Sequence, residues 1–202
     1  MNQKERMLAG LPYKAWLDGL AEEQLENKKR IYDYNLCRPD ETEKIEKSIR
    51  NILGKAGKNV YILAPFHCDY GRHIEVGDNF MANYNCIILD VGKVIIGDNV
   101  MFGPNVSLLT AGHPIHPDSR NSGYEYGIGI NIGNNVWVGG NTVVNPGVSI
   151  GDNAVIGSGS VVTKDIPANV VAVGNPCKVL RTITEEDRHY FHKNKKFDVS
   201  DY

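Results

Sequence analysis

One histidine stands where it could take a proton from a substrate. His113 lies in Gly112-His113-Pro114, within the run TAGHPIHPDSRNSGYEYGIGIN from Thr110 to Asn131, which is rich in Gly, Pro and polar residues. Pro114 fixes its own backbone and pushes the residue before it toward an extended conformation, so the imidazole would be held on a rigid rim. Its charge changes near neutrality, which suits it to act as general base on an alcohol. A lone loop histidine is equally compatible with no chemistry. His116, three residues on, suggests chelation, with His67 and His73 as further ligands. Pro114, however, precludes a helix that would align the two rings, and no third ligand of cysteine or carboxylate type lies at a telling interval, so no metal is expected.

Other residues could hold substrates. Trp137, between Val136 and Val138, faces outward if the valines face inward, and a large exposed indole calls for a ligand, another subunit or a covering loop. Thr163, Lys164, Lys178 and Arg181 lie late in the chain, where their charge suits a phosphate or only a solvated surface. Asp69, Asn83, Asn85, Asp90 and Glu125 could orient a polyhydroxy substrate or the imidazole, or satisfy turn backbones.

What positions these groups is a repeat. Hexads starting at Ile96, Phe102, Ile132, Val138, Val144, Ile150, Ile156, Val162 and Ala168 begin, with one exception, on a large apolar residue. Gly97, Gly103, Gly133, Gly139, Gly151 and Gly157 take second places, and slender residues such as Val100, Val136 and Ala154 take fifth places. Two inward residues per six, with a Gly or Asn turn at each hexad, describe a strand that bends before it can lengthen. Three bends close a coil, and stacked coils pair their strands in parallel around a solid core. This predicts an all-β solenoid, a parallel β-helix. The segment IEVGDNFMANYN from Ile74 has the same punctuation in a shifted phase, so the first coils should be less regular. Residues 110–131 replace whole hexads and should form an external loop leaving and re-entering at one corner.

The coil is flanked by other textures. Residues 1–56 read as a helical segment, with one amphipathic face on Leu17, Leu20, Ala21 and Leu25 and a second on Ile45, Ile49, Ile52 and Leu53, closed by Gly54 as a C-terminal cap. Residues 57–180 form the coil. In 181–202, Thr184 and Asp187 suit a capping box opening a short helix, and HKNKKFDVSDY reads as a tail.

Composition excludes several partners. With 22 Lys plus Arg against 24 Asp plus Glu in 202 residues, the net charge is -2 and nothing supplies a basic surface for nucleic acid or anionic lipid. The N-terminus has no apolar signal core, and no run approaches a membrane span. Cys37, Cys68, Cys86 and Cys177 lie far apart without a CxxC pair, as expected of reduced thiols in a cytoplasmic protein.

The hexads, AGHPIHPDSR, NIGNNVWVGG, VVTKDIPANVVAVGNPCKVLR and the N-terminal MLAGLPY together resemble the maltose and galactoside O-acetyltransferases of the hexapeptide acyltransferase superfamily. The resemblance covers nearly the whole chain. It implies a left-handed coil, against the usual right-handed crossover, and a homotrimer with active sites between subunits. It implies acetyl transfer from acetyl-CoA to a sugar hydroxyl, without metal, with His113 as the base. Trp137 would line the pantetheine arm, the backbone amides of Gly139 and Gly140 would meet the cofactor, and Ser158, Thr163, Lys164 and Lys178 would follow the CoA path. Acceptor contacts would map to Asp69, Asn83, Asp90 and Glu125. AGLPY and Asp69 in HCDYG look like the maltose branch, AGHPIH and the long tail like the galactoside branch. Two rival readings use the same coils: a metal-dependent hydratase of carbonic anhydrase type, built on His67, His73 and His113 or His116, and a non-catalytic assembly module.

Overall fold

A computed structural model describes residues 1–201. Short parallel strands stack into three flat faces around an apolar interior. Face 1 carries Lys55–Ala56, Ile74–Val76, Val94–Ile96, Ile130–Ile132 and Ser149–Ile150. Face 2 carries Tyr61–Ile62, Met81–Ala82, Met101–Phe102, Trp137–Val138, Val155–Ile156 and Val170–Val173, closed by the antiparallel strand Lys178–Thr182. Face 3 carries Phe66–Cys68, Cys86–Leu89, Ser107–Leu109, Val143–Val144 and Val161–Val162. First and fifth hexad positions, among them Val136, Val138, Ala154 and Ile156, fill the core.

The corner from face 1 to face 2 shows why Gly-Asp-Asn recurs. A Cβ on Gly97 would lie 2.5 Å from the Asn134 side-chain oxygen of the next coil, so only glycine fits. That oxygen accepts the Asp98 amide at 2.8 Å, as Asp152 accepts the Asn134 amide at 2.7 Å. The third residue takes φ near +57°, as at Asn99, Asn135 and Asn153, a conformation Asn tolerates better than most residues. These asparagines join side chain to side chain from Asn59 through Asn79, Asn99, Asn135 and Asn153 to Asn169, at 2.8 to 3.1 Å.

Coil length changes along the stack, which explains the shifted phase. Glu75 pairs with Lys55 and with Ile95, twenty residues in each direction, whereas Asn131 pairs with Ser149 and Trp137 with Val155, eighteen away. The added residues sit at the corner from face 3 back to face 1, where the buried run passes from Ile88 to Val94 in an early coil and from Val144 to Val148 in a later one. The long loop leaves and returns at this same corner: Ile95 pairs with Asn131 across the whole excursion.

Helices α1 (Gln3–Leu8), α2 (Leu20–Asn35) and α3 (Thr42–Ile52) cover the open base of the coil. A solenoid's first strand leaves backbone groups without a neighbour below, and the cap supplies partners. The Asn35 amide donates to Phe66 O and accepts from Phe66 N, both at 2.9 Å, Tyr34 donates to Ile62 O, and Arg50 donates to Ala56 O at 3.1 Å. The buried face of α2 is therefore Leu20, Asn27, Ile31 and Tyr34 rather than the expected stripe, and Leu17 and Leu25 are exposed. Apolar spacing could not show that the helix packs polar side chains against an unpaired strand edge. Gly54 also differs from expectation. Leu53 ends α3 in extended conformation, and Gly54 is required because a Cβ there would stand 2.1 Å from Arg72 O.

At the far end, Thr184 and Asp187 form the expected capping box, opening a 3-10 helix over Glu185–His189. A small hairpin, Tyr190–His192 with Lys195–Lys196, follows where the sequence reads as a tail.

Candidate active site

The corner between faces 3 and 1 gathers acidic, phenolic and imidazole groups. Loop residues Ala111–Gly112 pair antiparallel with Tyr126–Gly127, and the tip carries α4 (Pro117–Asn121), so the excursion is a hairpin with a helical head. Gly112 lies under the Tyr126 ring, 2.5 Å from where a Cβ would fall. His113 follows this strand directly and is exposed. His116 caps α4, its Nδ1 accepting the Asp118 amide at 3.3 Å.

Below the loop, Asp90 is fully buried, and its carboxylate accepts the backbone amides of Asp69 and Tyr70 at 2.9 Å and of His73 at 3.3 Å. Expected among the acceptor contacts, Asp90 instead holds the bend that carries Asp69. Burial pushes its carboxyl up, against these amides. The His73 ring meets Asp90 O at 2.6 Å through Nδ1, so that imidazole is engaged. Among the described residues, no three His, Cys, Asp or Glu are grouped to hold a metal ion.

Asp69 is half-buried, and its carboxyl is pushed up to about 6, first by burial and then by the charges of Asp90 and Glu125, with Lys28 opposing. Glu125 therefore lies within electrostatic reach of Asp69. It is held by Tyr13: the two backbones bridge antiparallel at 2.9 and 3.0 Å, and the buried Tyr13 hydroxyl donates to Glu125 Oε1. Tyr13 belongs to a second small core with Met7, Leu20, Tyr70 and Val91, against which Ala111 packs. This core joins the N-terminal segment, the corner bulges and the loop. Asn27 supports the same bend from α2, donating to Asp69 O at 3.1 Å, and Thr110 Oγ1 accepts Gly92 N at 2.8 Å. Sequence reading missed Tyr13, Tyr70, Asn27 and Thr110, which no motif spacing marks; the LPY of the N-terminal segment is the one signal that lay nearby.

The remaining site candidates stand mostly at another corner, from face 2 to face 3. Trp137 is 53% exposed and is flanked on face 2 by Met101 and Val155. Val143 and Val161 lie on face 3. Above Trp137 the corner is nearly free of side-chain bulk. Gly139 packs so tightly that a Cβ would lie 2.6 Å from Ser158 N, and Gly140, Gly157 and Gly159 complete it. The Gly139 amide donates within the coil to Ile156 O at 2.7 Å. Lys178 is exposed and pairs with Val173 near this corner, and Asn83 lies one coil below Gly103, accepting the Tyr84 amide at 2.8 Å. Thr163 and Lys164 are exposed beyond face 3, at the His113 corner. Arg181 is engaged by Asp187 at 2.7 and 2.8 Å. One chain thus carries two separate groups of candidate residues, with face 3 between them.

A coil of six-residue repeats with a helical base and a hairpin arm at one corner has the architecture of the hexapeptide-repeat acyltransferases. Two family models match, the maltose acetyltransferase hexapeptide capping motif over residues 6–57 and the bacterial transferase hexapeptide (six repeats) over residues 129–164. Galactoside O-acetyltransferase of Escherichia coli is 46% identical over 200 residues, covering 99% of this chain and 98% of that protein. A maltose O-acetyltransferase from Clostridium difficile superposes with TM-score 0.90 at 52% identity, covering 92% of this chain and 99% of that one. A galactoside acetyltransferase in complex with coenzyme A superposes with TM-score 0.96 at 46% identity, covering 98% and 100%. The coil is the left-handed β-helix of these acetyltransferases, and the chain belongs to the maltose and galactoside O-acetyltransferase family.

Proposed function

We propose that this protein transfers the acetyl group of acetyl-CoA to a hydroxyl of a sugar, of maltose, glucose or galactoside type, with His113 as general base. The observation that carries the reading is the exposed imidazole at the loop exit, on the same corner as Asp69 and the Tyr13-held Glu125. Acetyl-CoA supplies an acyl group already activated as a thioester. The protein must then hold the hydroxyl against that carbonyl, take its proton at His113 and return a proton to the departing thiolate. No acyl-enzyme is required. Cys68 and Cys86 are poor nucleophiles, since burial raises both thiols, Cys86 to about 12.

The second half-site suits the donor. An exposed indole between Met101 and Val155 offers an apolar wall for a slender thiol arm, and the glycine corner above, open at Gly159, puts no large side chain in its way. With the Gly139 amide engaged in the coil, Gly140 is the member of the pair placed to offer an N–H. Ser158 and Lys178 continue along this corner toward the end of the coil, and Thr163 and Lys164 come to the same donor from the His113 corner of the neighbouring chain, the lysines being exposed cations that suit phosphates. On the acceptor side Asp69 and Glu125 accept hydroxyl hydrogen bonds, Asp90 acts through Asp69, and Asn83 joins them from the donor corner of the neighbouring chain.

A complete site requires two chains, because the half-sites are separated by face 3. Along the parallel strands the outward column of face 2 (Tyr61, Met81, Met101, Trp137, Val155, Val171) is uncharged and that of face 3 (His67, Ile87, Ser107, Val143, Val161) is uncharged above His67, whereas face 1 carries Lys55 and Glu75, the latter ion-paired to Lys93 at 2.8 Å. Two unlike apolar faces pack head-to-tail and close into a ring, which fits a homotrimer. The four free thiols fit a cytoplasmic enzyme. The test is His113→Ala: acetyl transfer should fall about 10²- to 10⁴-fold, with acetyl-CoA binding by calorimetry and thermal melting unchanged. Turnover near normal would remove His113 from the reaction.

A further inference from the structure

Glu125 sits on a long external arm, yet its side chain and backbone are both held. Loop side chains lose rotamer freedom on binding a ligand, and a group fixed beforehand binds more tightly. Here the fixing comes from the opposite end of the chain. Tyr13 is fully buried, its hydroxyl donates to Glu125 Oε1, and paired backbone bonds at the same position prevent the strand from swinging. The N-terminal segment that presents Tyr13 is itself secured, by Met7 and Leu20 in the small core, by Lys4 with Glu23 at 2.6 Å, by the Gln3 amide donating to Asp18 at 2.7 Å and by the Lys14 amide donating to Gln3 at 2.8 Å. Two further contacts tie this segment to the loop: Lys14 lies 5.0 Å from the Tyr124 ring centroid, and the Trp16 ring packs over Gly123, 2.2 Å from where a Cβ would stand. Such contacts exceed what is needed to cover apolar surface.

We propose that Tyr13 is a positioning residue for the sugar acceptor: its phenol fixes one oxygen of Glu125 so that the other is presented to acceptor hydroxyls. This rests on the assignment of Glu125 to the acceptor site. The segment before α2 is then a working wall of the site as well as a lid for the coil. The phenol stays protonated at any ordinary pH, because burial and the neighbouring Glu125 carboxylate both raise it, so it remains a donor throughout the working range.

Steady-state kinetics on the intact oligomer test this with Tyr13→Phe, which keeps the buried ring, with Glu125→Gln, and with both together. Tyr13→Phe should raise acceptor KM about tenfold, the scale of a hydrogen bond to a charged group, with acetyl-CoA KM unchanged and kcat altered less than about twofold. The two changes should be less than additive in the double variant, since both act on the acceptor through the one Glu125 side chain. A silent Tyr13→Phe beside a damaging Glu125→Gln would overturn the positioning role and spare the acceptor site. If neither change moves acceptor KM while His113→Ala still abolishes transfer, Glu125 does not contact the acceptor and the proposal fails with that assignment. Equal damage to both substrates' KM, with a lowered melting temperature and faster proteolysis of the N-terminal segment, would reduce Tyr13 to a structural residue and also overturn it.

Discussion

Replacing Asp69 with asparagine should stabilise the protein at neutral pH while damaging acceptor binding. The folded carboxyl titrates at about 6, against an ordinary value of 3.8, because burial and the charges of Asp90 and Glu125 oppose its ionisation. Between about pH 4 and 6 the folded chain therefore keeps a proton that the unfolded chain has released. Stability is present in full below pH 4, falls as pH rises through 6, and stays lower beyond. Two pH units correspond to roughly 3 kcal/mol, and partial solvation of a half-buried carboxylate reduces this to about 1–2 kcal/mol. For a chain of this size that is about 3–6 °C in melting temperature. Asparagine keeps the shape and carries no charge, so the gain over the native protein should appear at pH 8 and vanish at pH 4. Calorimetric melts of the native and Asp69→Asn proteins at pH 4, 6 and 8 give the result directly. A difference that stays constant across this range would refute the burial and charge argument. Stability gained together with a raised acceptor KM is the expected signature of a group kept in a costly place for binding.

Two further predictions concern the scaffold. Asn135 donates to Asn153 at 2.9 Å, accepts from Asn99 at 3.1 Å and sits at φ +57°; Asn135→Gly should lose the ladder bonds alone, about 1 kcal/mol, whereas Asn135→Ala adds the left-handed backbone cost for about 2–3 kcal/mol. Melting curves should rank native above Gly above Ala, and an alanine variant as stable as the glycine variant would show that backbone strain does not operate there. Val155→Glu places a charge beside Trp137 on face 2 and should dissociate the oligomer and abolish transfer while each chain keeps its β-circular dichroism; sedimentation showing a native protein of one subunit's mass would remove the shared site.

How much was legible in the sequence depends on whether a contact repeats. The coil was legible because each hexad makes the same contacts: Gly97, Asp98 and Asn99 meet Gly133, Asn134 and Asn135 as those meet Gly151, Asp152 and Asn153, so one physical requirement is written several times. Trp137 facing outward followed from the same alternation. The acceptor corner obeys the opposite logic. Tyr13 and Glu125 are 112 residues apart, and Asp69 and Asp90 meet across two bulges that interrupt the hexad phase. Each of these contacts occurs once, so nothing in the spacing distinguishes Asp90, engaged with three backbone amides, from Asp69, whose carboxyl is held costly and half-exposed. The helical cap misled for a related reason. Its buried face is chosen by Asn27, Tyr34 and Asn35 pairing with the edge of the first coil, an interaction of polar atoms that a stripe of leucines cannot report. Repetition made the scaffold readable, and the departures from repetition are where the chain places its chemistry: the added residues in the early coils, the loop that leaves beside them and the N-terminal segment that packs over both all meet at one corner.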